Sequence, residues 1–292
     1  MTETTLTPVG LSFAVGDGVQ LAADAWGDPK DRPVLMMHGG GQTRHAWGRT
    51  ASVIAAAGWY VVSLDLRGHG DSDWPADADY SYHAFVDDAV TVARAFEQRP
   101  VIVGASLGGI AAIFTGGGDE PLASAIILVD VVHRPDPQGV ARIGAFMRAH
   151  LDGFASLDEA ADAIAAYTPN RPRSRDTSGL ANVLRRGDDG RYRWHWDPAF
   201  VQRPPGSSPV PPDAEFAAAV AALSVPTLIV RGGSSDVVTR DGIDEFLALA
   251  PHARWVEVDG ASHMVAGDRN DRFAAAVVTF LDELASTEGG SE

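Results

Sequence analysis

The chain has 292 residues, 45% of them hydrophobic, with 23 Lys and Arg against 39 Asp and Glu for a formal charge of −16. That acidity argues against binding a phosphate backbone or an anionic lipid surface, both of which need clustered cations. The absence of cysteine excludes disulfides, thiolate nucleophiles and Cys-based zinc sites. The opening MTETTLTPVG has neither a basic n-region nor an apolar h-region, and no run of about 18 apolar residues exists. A soluble cytoplasmic protein with a small-molecule partner is expected, with no membrane or nucleic-acid partner.

Short apolar runs alternate with helical patterns along the chain. Two early strands, from Leu11 and from Val19, flank the turn Gly16-Asp17-Gly18. The run from Pro33 stops at glycines, as a buried parallel strand does. A helical pattern over Arg44 to Ala57 leads to a strand from Trp59. Tyr82 to Glu97 reads as a helix, Pro100 opens a strand, and Leu107 to Phe114 opens another helix. Further buried strands start at Ser124, Val225 and Ala253, and Asp271 to Leu284 closes as an amphipathic helix. This rhythm predicts an α/β fold: a mostly parallel sheet of about eight strands flanked by helices. Residues 133–215 break it. They read as an inserted, mainly helical cap, because Phe146, Trp194, Trp196 and Phe200 need burial. The core is then 1–132 and 216–286, with 287–292 a disordered tail. No internal repeat is visible.

Gly104-Ala105-Ser106-Leu107-Gly108 matches G-x-S-x-G directly between a strand and a helix, the context in which a sharp turn lifts a serine hydroxyl out of a sheet. A serine hydroxyl needs a base to take its proton. Of nine histidines, His263 lies just past the last strand, at the carboxyl edge where ligand groups of open α/β sheets collect. Its orienting carboxylate is expected to be Asp236, after the strand from Val225; Asp130, at the end of the strand from Ser124, is the alternative. The glycine run after His38 brings backbone close to a ligand. It assigns one oxyanion donor to Gly40, with Gly41 as alternative, and the other to Leu107. His38, Gly39, Gly41, Phe146, Trp194, Trp196 and Met264 are candidate pocket residues. The two tryptophans at alternate positions share a face in an extended segment, either lining a pocket or packing the cap.

Together these segments resemble the α/β-hydrolase superfamily: the His38-Gly39 turn, the DLRGHGDSD stretch from Asp65 to Asp73, the GASLGG elbow, the GGSSD turn and the DGASH turn. The resemblance spans nearly the whole chain outside the cap. It implies a Ser-His-Asp triad, a mainly structural role for the RGHGDSD stretch, and a cap after the strand ending at Asp130. Within the superfamily the look is that of the epoxide hydrolase, haloperoxidase and C–C hydrolase relatives. A serine nucleophile departs from epoxide hydrolases and haloalkane dehalogenases, which need an ester-forming carboxylate.

No phosphate-binding loop, G-x-G-x-x-G or HExxH occurs, so neither cofactor nor metal is expected. Arg171, Arg173, Arg175, Arg185 and Arg186 form a basic cluster in an acidic chain, read first as solvated cap surface and second as an entrance for anions. The expected activity is serine-dependent hydrolysis of a small carboxylic ester or lactone. The alternatives are C–C bond hydrolysis of a diketone, cofactor-free perhydrolysis or haloperoxidation, and a ligand receptor built on a hydrolase fold.

Overall fold

In the computed structural model, residues 6–118, 120–168, 173, 175–202, 208–263 and 270–288 are described. The elements follow in order: β1 (Val9–Ala14), β2 (Gln20–Trp26), β3 (Arg32–Met37), α1 (Gly48–Ala56), β4 (Trp59–Leu64), α2 (Tyr82–Ala93), β5 (Val101–Ala105), α3 (Leu107–Gly116) and β6 (Ala125–Val129). Then come α4 (Pro137–Ala149), α5 (Leu157–Tyr167), the short strands β7 (Leu184–Arg186) and β8 (Tyr192–Trp194), α6 (Asp213–Ala221), β9 (Thr227–Gly232), α7 (Arg240–Leu249), β10 (Arg254–Val258) and α8 (Asn270–Glu288).

Eight strands form one sheet in the order β1-β2-β4-β3-β5-β6-β9-β10. β1 and β2 are antiparallel to their neighbours, and every pairing from β4 onward is parallel. The continuous apolar runs are explained by two covered faces. Within β3, Val34 and Met36 point into one core cluster while Leu35 and Met37 point into the other. One face carries Phe85, Ile113, Val220 and Phe246 from α2, α3, α6 and α7; the other carries Ile54 of α1 and Phe273, Val277 and Leu281 of α8. With both faces buried, alternation of polar and apolar residues disappears. Among the described residues no helix is long and apolar enough to cross a membrane.

The stretch between β6 and α6 adds no strand to this sheet. Asp136 caps α4, accepting from the N–H groups of Gln138 and Gly139, with Pro137 at the first helical position. Within this stretch, expected to be mainly helical, the Arg- and Trp-rich half contains the β7–β8 hairpin. It packs with Phe154 and Ala160 into a small cluster of its own. α6 starts at Asp213, three residues before the expected core boundary, and packs on α3 and α7. α8 runs through Glu288, two residues into the segment expected to be a disordered tail; residues 289–292 lie outside the described chain.

Candidate active site

The parallel strands end in register. Met37 pairs with Gly104, Ala105 with Val129, and Val129 with Val230. The next residues, His38, Ser106 and Asp130, therefore emerge at one edge of the sheet. Ser106 sits between β5 and α3 with φ 45° and ψ −108°. That left-handed conformation costs a non-glycine residue about 1–3 kcal/mol and marks a functional turn. The turn is possible because its neighbours lack side chains. A Cβ on Gly104 would lie 2.4 Å from the Gly108 carbonyl oxygen, and one on Gly108 would lie 2.4 Å from that of Met37.

The backbone around the turn is committed almost everywhere. The Ser106 N–H donates to the Val129 carbonyl at 3.2 Å, and the Gly108 N–H to that of His38 at 3.2 Å. On the loop after β3, the Gly39 N–H donates to Gln42 Oε1 at 3.0 Å and the Gly41 N–H to His69 Nε2 at 3.1 Å. Among the described residues, no hydrogen-bond partner is found for the N–H of Gly40 or of Leu107. Gly41, the alternative donor, is thereby occupied.

His263 follows β10, and its Nδ1–H donates to Asp130 Oδ2 at 2.7 Å. Asp130 is fully buried and also accepts from the Gly232 N–H at 2.9 Å and the Ser235 hydroxyl at 2.5 Å. That hydroxyl accepts the N–H groups of Val237 and Val238, each at 3.1 Å, which leaves its own proton for the carboxylate. The preference for Asp236 is corrected by this geometry. Its carboxylate pairs with Arg142 Nη2 of α4 at 2.5 Å. Sheet order does not separate the two acids, because β6 and β9 both lie between β5 and β10; the side-chain contacts do, Asp130 on His263 and Ser235, Asp236 on Arg142. Chain order does not discriminate, since Asp130 also falls between Ser106 and His263. The useful signal is burial. A carboxylate ending the run Ala125–Val129 has to be satisfied from inside the protein. Ser235, which holds Asp130, was not singled out from the sequence.

His38 was expected in the pocket and is corrected to a buried strut. Its Nδ1–H donates to the Gly39 carbonyl at 2.8 Å, and Nε2 accepts the Leu66 N–H at 3.0 Å. His69 follows the same pattern, with Nδ1–H on the Arg67 carbonyl at 2.9 Å and Nε2 facing Gly41. The rings of His38, His69 and His195 follow one another at 5.2 and 6.1 Å. His195 Nδ1 accepts the Gly70 N–H at 2.6 Å. Burial pushes these imidazoles down to about 4, 3 and 2 respectively, so all three are neutral supports of the glycine loop and the RGHGDSD turn. In that turn Arg67 forms a bidentate pair with Asp88, with both bonds at 2.7 Å.

Ser106, Asp130 and His263 line one cavity of about 650 Å³. Gly39, Gly40, Gly41, Phe146, Trp194 and Trp196 line it as well; Met264 lies outside the described residues. Both readings of the tryptophans hold. Their rings stack at 6.3 Å on the cavity wall, and Trp194 also packs edge-on against Phe154 in the small cluster. Most of the arginine cluster is tied down: Arg173 by Asp158 and Asp162, Arg185 by Asp71, and Arg186 over the Tyr192 ring. Arg171 lies outside the described residues. Among the described residues no group of three or more His, Asp or Glu side chains is placed to hold a metal ion.

A mostly parallel eight-stranded sheet, with a serine on a strained strand-to-helix turn at its carboxyl edge, defines the hydrolase class of doubly covered α/β proteins. Residues 34–276 match the Alpha/beta hydrolase family, and the chain belongs to it. It is 30% identical over 271 residues to the 3-hydroxybutyrate-oligomer hydrolase of Cupriavidus necator, covering 88% of this chain and 89% of that one. It is 31% identical over 274 residues to the esterase Rv0045c of Mycobacterium tuberculosis, covering 90% and 86%. The crystal structure of that esterase superposes with a TM-score of 0.76 over 94% of this chain and 92% of its own. The structure of E-2-(acetamidomethylene)succinate hydrolase gives 0.84 over 94% and 100%, at 21% identity, which speaks to the fold alone.

Proposed function

We propose that the chain is a serine hydrolase that cleaves a small carboxylic ester or lactone through an acyl-enzyme. The observation that carries this reading is the pairing of His263 with the buried Asp130, at 2.7 Å, on the wall of the cavity that Ser106 also lines. Accepting the Nδ1 proton, Asp130 holds His263 in the tautomer whose Nε2 is free to act as a base. His263 takes the Ser106 proton as the oxygen attacks the carbonyl carbon, and the N–H groups of Gly40 and Leu107 receive the oxyanion. The imidazolium then protonates the leaving alcohol. Water then attacks the acyl carbon while giving a proton to His263; the Ser106–acyl bond breaks, the acid leaves and His263 returns the proton to the Ser106 oxygen. In this reading the residues between β6 and α6 form a cap that closes the cavity. Two relatives of similar length, an oligomer hydrolase and an esterase, support ester hydrolysis.

The test is intact mass after incubation with a fluorophosphonate. One adduct is expected on the wild type and none on Ser106→Ala. No adduct on folded wild type, or one that persists in Ser106→Ala, overturns the proposal.

A further inference from the structure

We infer that Arg148 recognises a carboxylate on the substrate, so that the preferred ester carries a free carboxylate away from the scissile bond. This rests on the cavity being the substrate site proposed above. The helix α4 sets the geometry. Val140, Ile143, Gly144, Met147 and Arg148 all line the cavity, and their spacing of three and four residues makes them one helix face. Met147 anchors that face to the glycine loop: a Cβ on Gly41 would lie 3.1 Å from its Cε. The residue after this anchor is a cation.

The Arg148 side chain leans back along α4, as helical side chains do. Its guanidinium rests over Gly144, where a Cβ would come within 3.1 Å of Nη1 and 3.3 Å of Nη2. The glycine leaves the space that the planar head occupies. The other basic side chains on the cavity wall each face a carboxylate: Arg173 has Asp158 and Asp162, His263 has Asp130, and His45 has Asp24 at 3.7 Å. Asp176, also on the wall, accepts the Ser178 N–H at 2.9 Å. Among the described residues Arg148 has no carboxylate partner, in a chain with 39 acids. An apolar wall ending at an unpaired guanidinium suits a short aliphatic chain with a terminal carboxylate, which Arg binds in a bidentate fork.

The discriminating substrates are mono-p-nitrophenyl glutarate and its neutral methyl ester, p-nitrophenyl methyl glutarate. The wild type is expected to favour the acid, and Arg148→Gln to lower the ratio of the two kcat/KM values by about tenfold or more through KM. Arg148→Lys should keep part of the ratio, Gly144→Ala should lower it by displacing the guanidinium, and added salt should reduce it. A wild-type ratio of one or below, or a ratio unchanged in Arg148→Gln, overturns the inference. If the neutral ester is still turned over in that case, the hydrolase reading stands alone. A binding arm separates the reverse failure. By calorimetry, Ser106→Ala is expected to bind monomethyl glutarate more tightly than dimethyl glutarate, and the difference should vanish in Ser106→Ala/Arg148→Gln. That result with no turnover of either ester retains Arg148 recognition and removes the hydrolase reading; equal binding of the two ligands removes Arg148.

Discussion

Replacing Asp130 by Asn tests how the site is built. The native carboxylate holds three donors: the His263 Nδ1–H at 2.7 Å, the Ser235 hydroxyl at 2.5 Å and the Gly232 N–H at 2.9 Å. An amide has one acceptor oxygen and one donor nitrogen. With the amide oxygen kept in the Oδ1 position by the Gly232 N–H, the NH2 takes the Oδ2 position and faces both the Ser235 hydroxyl and His263 Nδ1, which must then accept. The imidazole proton moves to Nε2, where it blocks uptake of the serine proton. Loss of the orienting carboxylate with a wrong tautomer costs about 10⁴ in kcat, or about 5 kcal/mol of barrier. Asp236→Asn breaks only the Arg142 pair, whose side chains are 55% and 35% exposed. Exposed pairs are worth about 0.2–1 kcal/mol, so less than about fivefold in kcat is expected. Steady-state hydrolysis of p-nitrophenyl butyrate measures both, with thermal unfolding run alongside to confirm that each variant is folded. A folded Asp130→Asn enzyme within tenfold of wild type, or an Asp236→Asn enzyme down a thousandfold, would refute the assignment.

Two further outcomes follow from the same structure. Gly104→Ala puts a Cβ 2.4 Å from the Gly108 carbonyl, backbone against backbone, and should cost about 1–3 kcal/mol, a Tm loss of about 3–10 °C; Gly48→Ala, with nothing within 4 Å, is the control and should not fall comparably in calorimetry. Stability should also drop in acid. His38, His69 and His195 are held down to about 4, 3 and 2, so below about pH 6.5 the unfolded chain takes up protons that the folded one refuses. Their contribution is intact above pH 6.5 and falls by about 2 kcal/mol each by pH 5. Urea unfolding at pH 7.5 and 5.0 reads this, and equal stabilities at the two values would contradict neutral histidines.

The sequence by itself determined the order and kind of the core elements. Every strand predicted from Leu11 to Ala253 is present, and the central ones are legible because a strand buried on both faces must be apolar at consecutive positions, as β3 and β6 are. It also determined the serine turn, since Gly104 and Gly108 are readable as positions where only hydrogen fits. The hairpin in the insertion was not legible: β7 and β8 are three residues each, too short for a periodic signal, and their aromatic residues pack on Phe154 from another segment. The partner of His263 was likewise a matter for the tertiary structure. Asp130 and Asp236 follow adjacent strands, and local sequence does not say which carboxylate faces the histidine. That depends on the Ser235 hydroxyl turning toward Asp130 while Asp236 reaches Arg142 on α4, two contacts spanning about a hundred residues of chain. Arg148 acquires its place in the same way, when α4 folds over the sheet edge and carries one of its faces into the cavity.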